Sequence, residues 1–233
     1  MSRSRSGLGL APIGGSLIVM ASNAVPGFLP SRYGFHFANR WPSGPARIIE
    51  LWPLRVPIGD VGRGLCGGMA FAARDRFDRR EDAPPQDVPP APADPLFKEI
   101  VDRQFDSFGA LFSVPIRFWL AAVASQGARD RATARDAWPA IRAGIDAGSP
   151  PMIGLVRLAG WNPLAPDFGH QVVAYRYDET ATGVSIWIYD PNYPGNDDVR
   201  LSITRHPNGS CSMAQSTGEP LLAILALPFA GPR

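Results

Sequence analysis

Cys66, His170 and Asp190 are the residues of this 233-residue chain whose types and settings point to chemistry. Cys66 stands where the glycine-rich run Gly59-Asp60-Val61-Gly62-Arg63-Gly64 gives way to a helical pattern. A helix amino terminus carries partial positive charge and unpaired backbone N–H groups, and both favour the thiolate over the thiol. Gly64, Gly67 and Gly68 leave room for a substrate backbone beside it. The competing reading is a small buried cysteine, a common fate for that residue type. A thiolate nucleophile needs a base and proton donor, and the three histidines are His36, His170 and His206. His170 opens a predicted strand, Gly169-His170-Gln171-Val172-Val173, which is a rigid mount for an imidazole. Asp190 ends the next, Trp187-Ile188-Tyr189-Asp190-Pro191. If these strands pair as a hairpin, His170 meets Asp190, as a base and its orienting acceptor require. Singly, His170 also reads as a surface or capping histidine, and Asp190 as a turn former before proline. The three in chain order Cys, His, Asp are harder to dismiss.

The elements that must position them divide the chain in two. Residues 33–58 alternate short apolar pieces with prolines and read as short strands and loops. After Cys66, residues Met69, Phe71, Ala72, Ala73 and Phe77 recur near helical spacing. Residues 96–108 are helical by period, with Leu96, Ile100, Val101, Phe105 and Phe108 on one side. Pro115 opens a helix running to residue 126. A further helix covers residues 133–147, with Gly148 as its stop and Pro139 marking a kink or its true start. Residues 152–158, 171–177, 184–189, 199–204 and 221–227 read as strands, several nearly continuous in Val, Ile, Leu and aromatics. Helices first and strands later predict an α+β fold with an antiparallel sheet. The proline-rich stretch 81–95 reads as an extended, solvated loop within one domain over residues 33–233.

Residues 1–32 read as a disordered or weakly ordered segment. Arg3 and Arg5 precede a mildly apolar stretch over residues 7–20, the outline of a secretory signal. Pro12 and the glycines weaken it, and the plainer reading is a disordered tail followed by a strand over residues 16–20. A cytoplasmic location is favoured over export on that ground. Lys+Arg 23 against Asp+Glu 21 leaves a net charge of +2, so no basic field marks a nucleic-acid partner. No apolar run reaches the roughly 18 residues of a membrane span. Two cysteines, Cys66 and Cys211, exclude a disulfide scaffold and a four-cysteine zinc site, and His36 and His206 lack metal-ligand spacing. Cys211 falls in a polar turn region, and a bridge to Cys66 would remove the nucleophile. Residues 190–195 begin like a calcium loop but carry Pro194 and Leu201 where ligands belong. Neither a metal nor a cofactor is expected. Trp161 and Phe168, just before His170, either shape a cleft or pack.

Gly64-Leu65-Cys66-Gly67-Gly68-Met69, Gly169-His170-Gln171-Val172-Val173-Ala174-Tyr175 and Ile188-Tyr189-Asp190-Pro191-Asn192-Tyr193-Pro194-Gly195 resemble bacterial proteins of the papain-like cysteine peptidase superfamily. The nearest named group is the double-glycine, bacteriocin-processing peptidases. Arg103-Gln104-Phe105-Asp106-Ser107 and Phe35-His36-Phe37-Ala38-Asn39-Arg40-Trp41-Pro42 add to the resemblance, which spans roughly residues 33–227. It implies a helical half carrying the cysteine, packed on an antiparallel sheet carrying the histidine and aspartate, with a peptide or amide substrate between. It implies Cys66 as nucleophile, His170 as general base and acid, and Asp190 as the orienting carboxylate. One position departs. Papain-like peptidases usually carry a glutamine about six residues before the cysteine to donate to the oxyanion, and here that position is Asp60. A carboxylate does not donate unless protonated, and its charge repels an oxyanion. The backbone N–H of Cys66 and another side chain such as Asn39 are the remaining donors. Two functions follow: a cysteine hydrolase of peptide or other amide bonds, or a catalytically impaired binding module of the same fold.

Overall fold

The β-branched and aromatic residues after Pro151 build a sheet, and the helical patterns before it supply the layer that covers it. The computed structural model describes residues 18–51, 54–160 and 169–233. A first strand, β1 (Val19–Ala24), is followed by a short helical turn, α1 (Pro30–Tyr33), and a small hairpin, β2 (Arg47–Leu51) and β3 (Leu54–Ile58). The helices are α2 (Cys66–Arg79), α3 (Pro95–Ser107), α4 (Ser113–Val123), α5 (Gln126–Ala132) and α6 (Trp138–Asp146). The strands β4 (Met152–Val156), β5 (Gly169–Thr180), β6 (Gly183–Tyr189), β7 (Arg200–Arg205), β8 (Cys211–Gln215) and β9 (Ala223–Leu227) complete the chain. This is an α+β fold with an antiparallel sheet.

The sheet runs β8-β7-β6-β5-β4-β9. β5 is 12 residues long, and its two halves have different neighbours on one edge. Its first half pairs with β4, its second half with β1, and β6 lies along the other edge. All five residues of β4 are buried. A continuous apolar cluster reaches from Val25 to Leu227, joining the sheet to α2, α4 and α6. A smaller one, with Phe35, Phe37, Met69, Phe97 and Ile100, lies between α2, α3 and the segment after α1.

Several expectations need correction. The weakly ordered segment does not extend to residue 32. Residues 19–24 pair with β5, and Val25 N–H donates to the Tyr175 carbonyl at 2.7 Å, because β5 outruns β4 and leaves backbone groups to satisfy. The signal-like stretch up to residue 17, and Trp161 and Phe168, lie outside the described residues. The proline-rich loop between α2 and α3 is not wholly solvated. Pro90 is buried, its carbonyl accepts from Trp41 Nε1 at 3.2 Å, and Ala83 N–H donates to the Arg32 carbonyl at 2.9 Å. Cys211 lies in a strand rather than a turn; it alternates with Met213 and Gln215 facing inward. On α3 the buried residues are Phe97, Ile100, Val101, Arg103 and Ser107, so Leu96, Phe105 and Phe108 are peripheral. The helix expected over residues 133–147 starts earlier, at Gln126, and residues Thr133–Ala137 form a wide π-turn before α6. Pro139 explains the turn: it lacks the N–H that an α-helical register needs at that point.

Candidate active site

Cys66 is the first residue of α2, and the residues before it fix where that helix begins. Asp60 Oδ1 accepts from Gly62 N–H at 2.9 Å and from Gly44 N–H at 3.0 Å, tying the turn before Gly64 to the segment ahead of β2. Gly64 has φ of 86°, and a Cβ there would meet Asn39 Nδ2 at 2.6 Å, so both backbone angle and space call for glycine. Asn39 Oδ1 accepts from Leu65 N–H at 2.6 Å. The backbone N–H of Cys66 has no partner among the described residues. Gly67 and Gly68 do not face a substrate, contrary to the expectation from spacing. A Cβ at Gly68 would collide with the Ile100 carbonyl, and one at Gly67 with the Ser107 hydroxyl. They permit α3 to approach α2, and Gln104 Oε1 then accepts from Gly68 N–H at 2.8 Å.

His170 is the second residue of β5, and Asp190 directly follows β6. The two strands pair, and His170 Nε2 lies 2.6 Å from Asp190 Oδ1. Nδ1 is left for Cys66, and the thiol and imidazole are close enough to shift each other's charge. All three predicted residues therefore meet at one place. His170 is 5% exposed and Asp190 1%, whereas Cys66 is half-buried at the cleft surface. Asp190 Oδ1 also accepts from Asn192 N–H at 2.9 Å. Its other oxygen, Oδ2, accepts from Gln215 Nε2 at 2.8 Å and lies 3.6 Å from Arg157 Nη2. Arg157 Nη2 in turn donates to Gln215 Oε1 at 3.3 Å.

These contacts set the charges. Burial pushes the Cys66 thiol up, but the His170 charge and hydrogen bond, helped by the Gln171 backbone N–H, bring it below the ordinary value of 9.0. Burial opposes charge on His170 as well. Asp190 and the Cys66 thiolate outweigh it and raise the imidazole from 6.5 to about 10. Burial likewise works against the Asp190 carboxylate, but His170 holds it below its ordinary value. Each shift favours a thiolate and an imidazolium with a carboxylate behind them.

Two hollows meet at Cys66. One, of about 490 Å³, is lined by Cys66 and His170 together with Asn39, Arg40, Arg157 and Glu219. The other, of about 520 Å³, is lined by Cys66, Gln171, Phe105, Phe108, Val114 and Phe118. Asn39 bridges the loops, its Nδ2 donating to Asn192 Oδ1 at 3.3 Å and its N–H to the Pro191 carbonyl at 3.0 Å.

Gln215 and Arg157 escaped the sequence reading, and Gln104 entered it without a role. The signal for Gln215 was a polar residue on the inward face of an alternating strand, visible only once that strand is recognised. Arg103, Gln104 and Ser107 bind neighbours. Arg103, 1% exposed, pairs with Asp75 and Asp106, each at 2.8 Å. The Ser107 hydroxyl accepts from Gln171 Nε2 at 3.2 Å, linking α3 to the histidine strand. Both cysteines are free. His36 and His206 are exposed and away from the site, and His206 Nε2 lies 2.6 Å from Ser212 Oγ. Among the described residues no group of three or more His, Cys, Asp or Glu side chains is placed to hold a metal ion. Comparison with family models, with curated proteins and with solved structures finds no match to the chain.

Proposed function

We propose that the protein is a cysteine hydrolase of the papain-like type, cleaving peptide or other amide bonds with Cys66, His170 and Asp190. The single observation carrying this reading is the buried His170–Asp190 pair at 2.6 Å with its free ring nitrogen on a thiol at a helix tip. His170 stands between Cys66 and Asp190, the order that nucleophilic catalysis requires. A helix-borne cysteine packed on an antiparallel sheet bearing histidine and carboxylate is also the layout expected of a papain-like fold.

The chemistry runs in two halves. The Cys66 thiolate attacks the substrate carbonyl and forms a C–S bond. The oxyanion faces the Cys66 backbone N–H and the Asn39 amide, whose second N–H remains after its bond to Asn192. As the C–N bond breaks, the His170 imidazolium gives its proton to the departing amine. Water then attacks the thioester, losing a proton to His170. The carboxylic acid leaves as the C–S bond breaks, and the thiolate–imidazolium pair is restored. Asp60 takes no part: its Oδ1 is committed to two backbone N–H groups of the loop.

Iodoacetamide labelling tests the reading. Cys66 should alkylate rapidly at pH 6, and His170→Ala should slow it by about tenfold or more, since the imidazolium is what opposes burial. Slow labelling unaffected by His170→Ala marks a non-catalytic binding module instead.

A further inference from the structure

The two hollows beside Cys66 differ in chemistry, and His170 tells which end of a substrate each receives. The first is polar and contains two cations. Arg40 is exposed and its guanidinium has no partner among the described residues. Arg157 is half-buried, and its buried Nε has no partner there either. The acidic groups at this end are Asp190 and Glu219. Asp190 is buried behind His170, and Glu219 accepts from the Tyr193 and Thr217 hydroxyls. Those hydroxyl bonds leave Glu219 charged and near Arg157, so the charge at this end with no partner among the described residues is that of Arg40, and it is positive. The second hollow is walled by Phe105, Phe108, Val114 and Phe118. Its aromatic wall continues outward. Phe105 and Phe108 meet edge to face at 5.9 Å, and Phe108 stacks on Phe112 at 5.7 Å. Phe112 is 60% exposed and Leu111 94%, and both hold positive φ, 57° and 54°. Such angles are strained for residues other than glycine. This step between α3 and α4 displays Leu111 and Phe112 to solvent, and Phe112 extends the aromatic wall through Phe108.

His170 lines the polar hollow and not the apolar one. The departing amine takes its proton from His170, so it leaves into the polar hollow. The acyl group, held on sulfur, lies along the apolar one. We propose that the substrate is an amide with a bulky apolar residue on its acyl side, against Phe105, Phe108 and Phe118, and a carboxylate on its amine side, facing Arg40. The carboxylate is an Asp or Glu side chain or the free carboxyl terminus of a short leaving peptide. This assignment rests on the hydrolase reading above and adds direction and polarity to it.

The test is cleavage of a mixture of synthetic unstructured peptides by the full chain, with every pairing of flanking residue types and with free or amidated carboxyl termini. Mass spectrometry reads the bonds cut, and Cys66→Ala provides the blank. Cleavage should concentrate where an apolar residue lies on the acyl side and an acidic group on the amine side. The free and amidated termini separate the two sources of the carboxylate. Arg40→Glu should lower the acidic-over-neutral ratio of kcat/KM by about fivefold or more. Phe108→Asp should lower the apolar-over-polar ratio by about tenfold; the wild-type profile stands without either variant. Cys66-dependent cleavage with no such preference, or with the polarity reversed, overturns the assignment and leaves the hydrolase intact. So does rapid, His170-dependent labelling of Cys66 with no peptide cut. Labelling of Cys66 at the rate of an ordinary thiol overturns the hydrolase reading and the assignment with it.

Discussion

The chain's two cysteines make a controlled comparison. Cys66 begins a helix and Cys211 begins the edge strand β8; both are free and both are half-buried. Burial pushes both thiols up. At Cys211 the nearby Asp130 charge adds to that, Arg205 offsets only part, and the thiol stays above 9.0. At Cys66 the His170 imidazolium reverses the direction. Burial therefore raises a thiol, and a cation brought from a strand more than 100 residues along the chain lowers one. The edge strand also supplies both sides of the contrast. Its inward face presents Cys211 at one end and, at the other, Gln215, which holds the carboxylate that keeps His170 charged.

Replacing each cysteine with alanine gives the largest effect. Cys66→Ala should lower amide hydrolysis by about 10⁴-fold or more, to what binding and the oxyanion donors alone supply. Cys211→Ala should leave turnover unchanged, since Cys211 lines neither hollow. Steady-state assays of the two purified variants decide it, and equal losses would erase the distinction drawn here. Asp190→Asn comes next. The amide oxygen can still accept from His170, but the negative charge that lifts the imidazole towards 10 is lost, so hydrolysis should fall about 10²-fold. Circular dichroism on the same preparation separates this from unfolding.

Gln215→Leu sharpens the comparison from the strand that the cysteines share. It removes the 2.8 Å hydrogen bond to Asp190 Oδ2 and leaves Arg157 at 3.6 Å. A hydrogen bond to a charged group is worth roughly 1.5–3 kcal/mol, so kcat should fall about tenfold to a hundredfold. The pH profile distinguishes positioning from general damage. His170 stays charged up to about 10 because Asp190 supports it, so activity in the parent falls as pH rises through that value. With Asp190 less well held, the alkaline limb should move down. An unmoved limb assigns Gln215 a packing role only. At pH 7 the parent should also alkylate at Cys66 at least about tenfold faster than at Cys211, since one thiol lies below 9.0 and the other above it. Peptide mapping after partial labelling measures both sites in one sample.

The site was more legible in the sequence than the structure around it, and for physical reasons. The hairpin of β5 and β6 was written in two runs of Val, Ile and aromatics, so the meeting of His170 and Asp190 followed from strand pairing. The Cys66 helix was announced by glycines, though for a different reason from the one inferred. Gly67 and Gly68 admit α3, which no local pattern reveals, because the atoms they make room for belong to Ile100 and Ser107. β8 was missed because Ser212 and Ala214 face outward and Cys211, Met213 and Gln215 are only mildly apolar, so its alternation is faint. β1 was placed too early because its pairing depends on how far β5 extends beyond β4, a tertiary fact. Asn39 could be named as a candidate donor but not located; its position comes from hydrogen bonds to Leu65 and Asn192, on two separate loops.

The smallest effect concerns Asp60, the carboxylate standing where an amide donor is usual. Its Oδ1 ties Gly44 to Gly62, two residues before Gly64 and four before the nucleophile. Asp60→Ala should therefore cost about 1 kcal/mol of stability, the usual value of a capping side chain. Thermal unfolding measures that loss as a few degrees in Tm. Were Asp60 instead a repulsive charge on the oxyanion, its removal would raise kcat. The geometry predicts the opposite sign: a looser loop lets Cys66 drift from His170, so Cys66 labelling at pH 6 should slow modestly and move toward the behaviour of Cys211. A variant that gains turnover would show that the carboxylate acts on the reacting atoms and not on the loop that presents them.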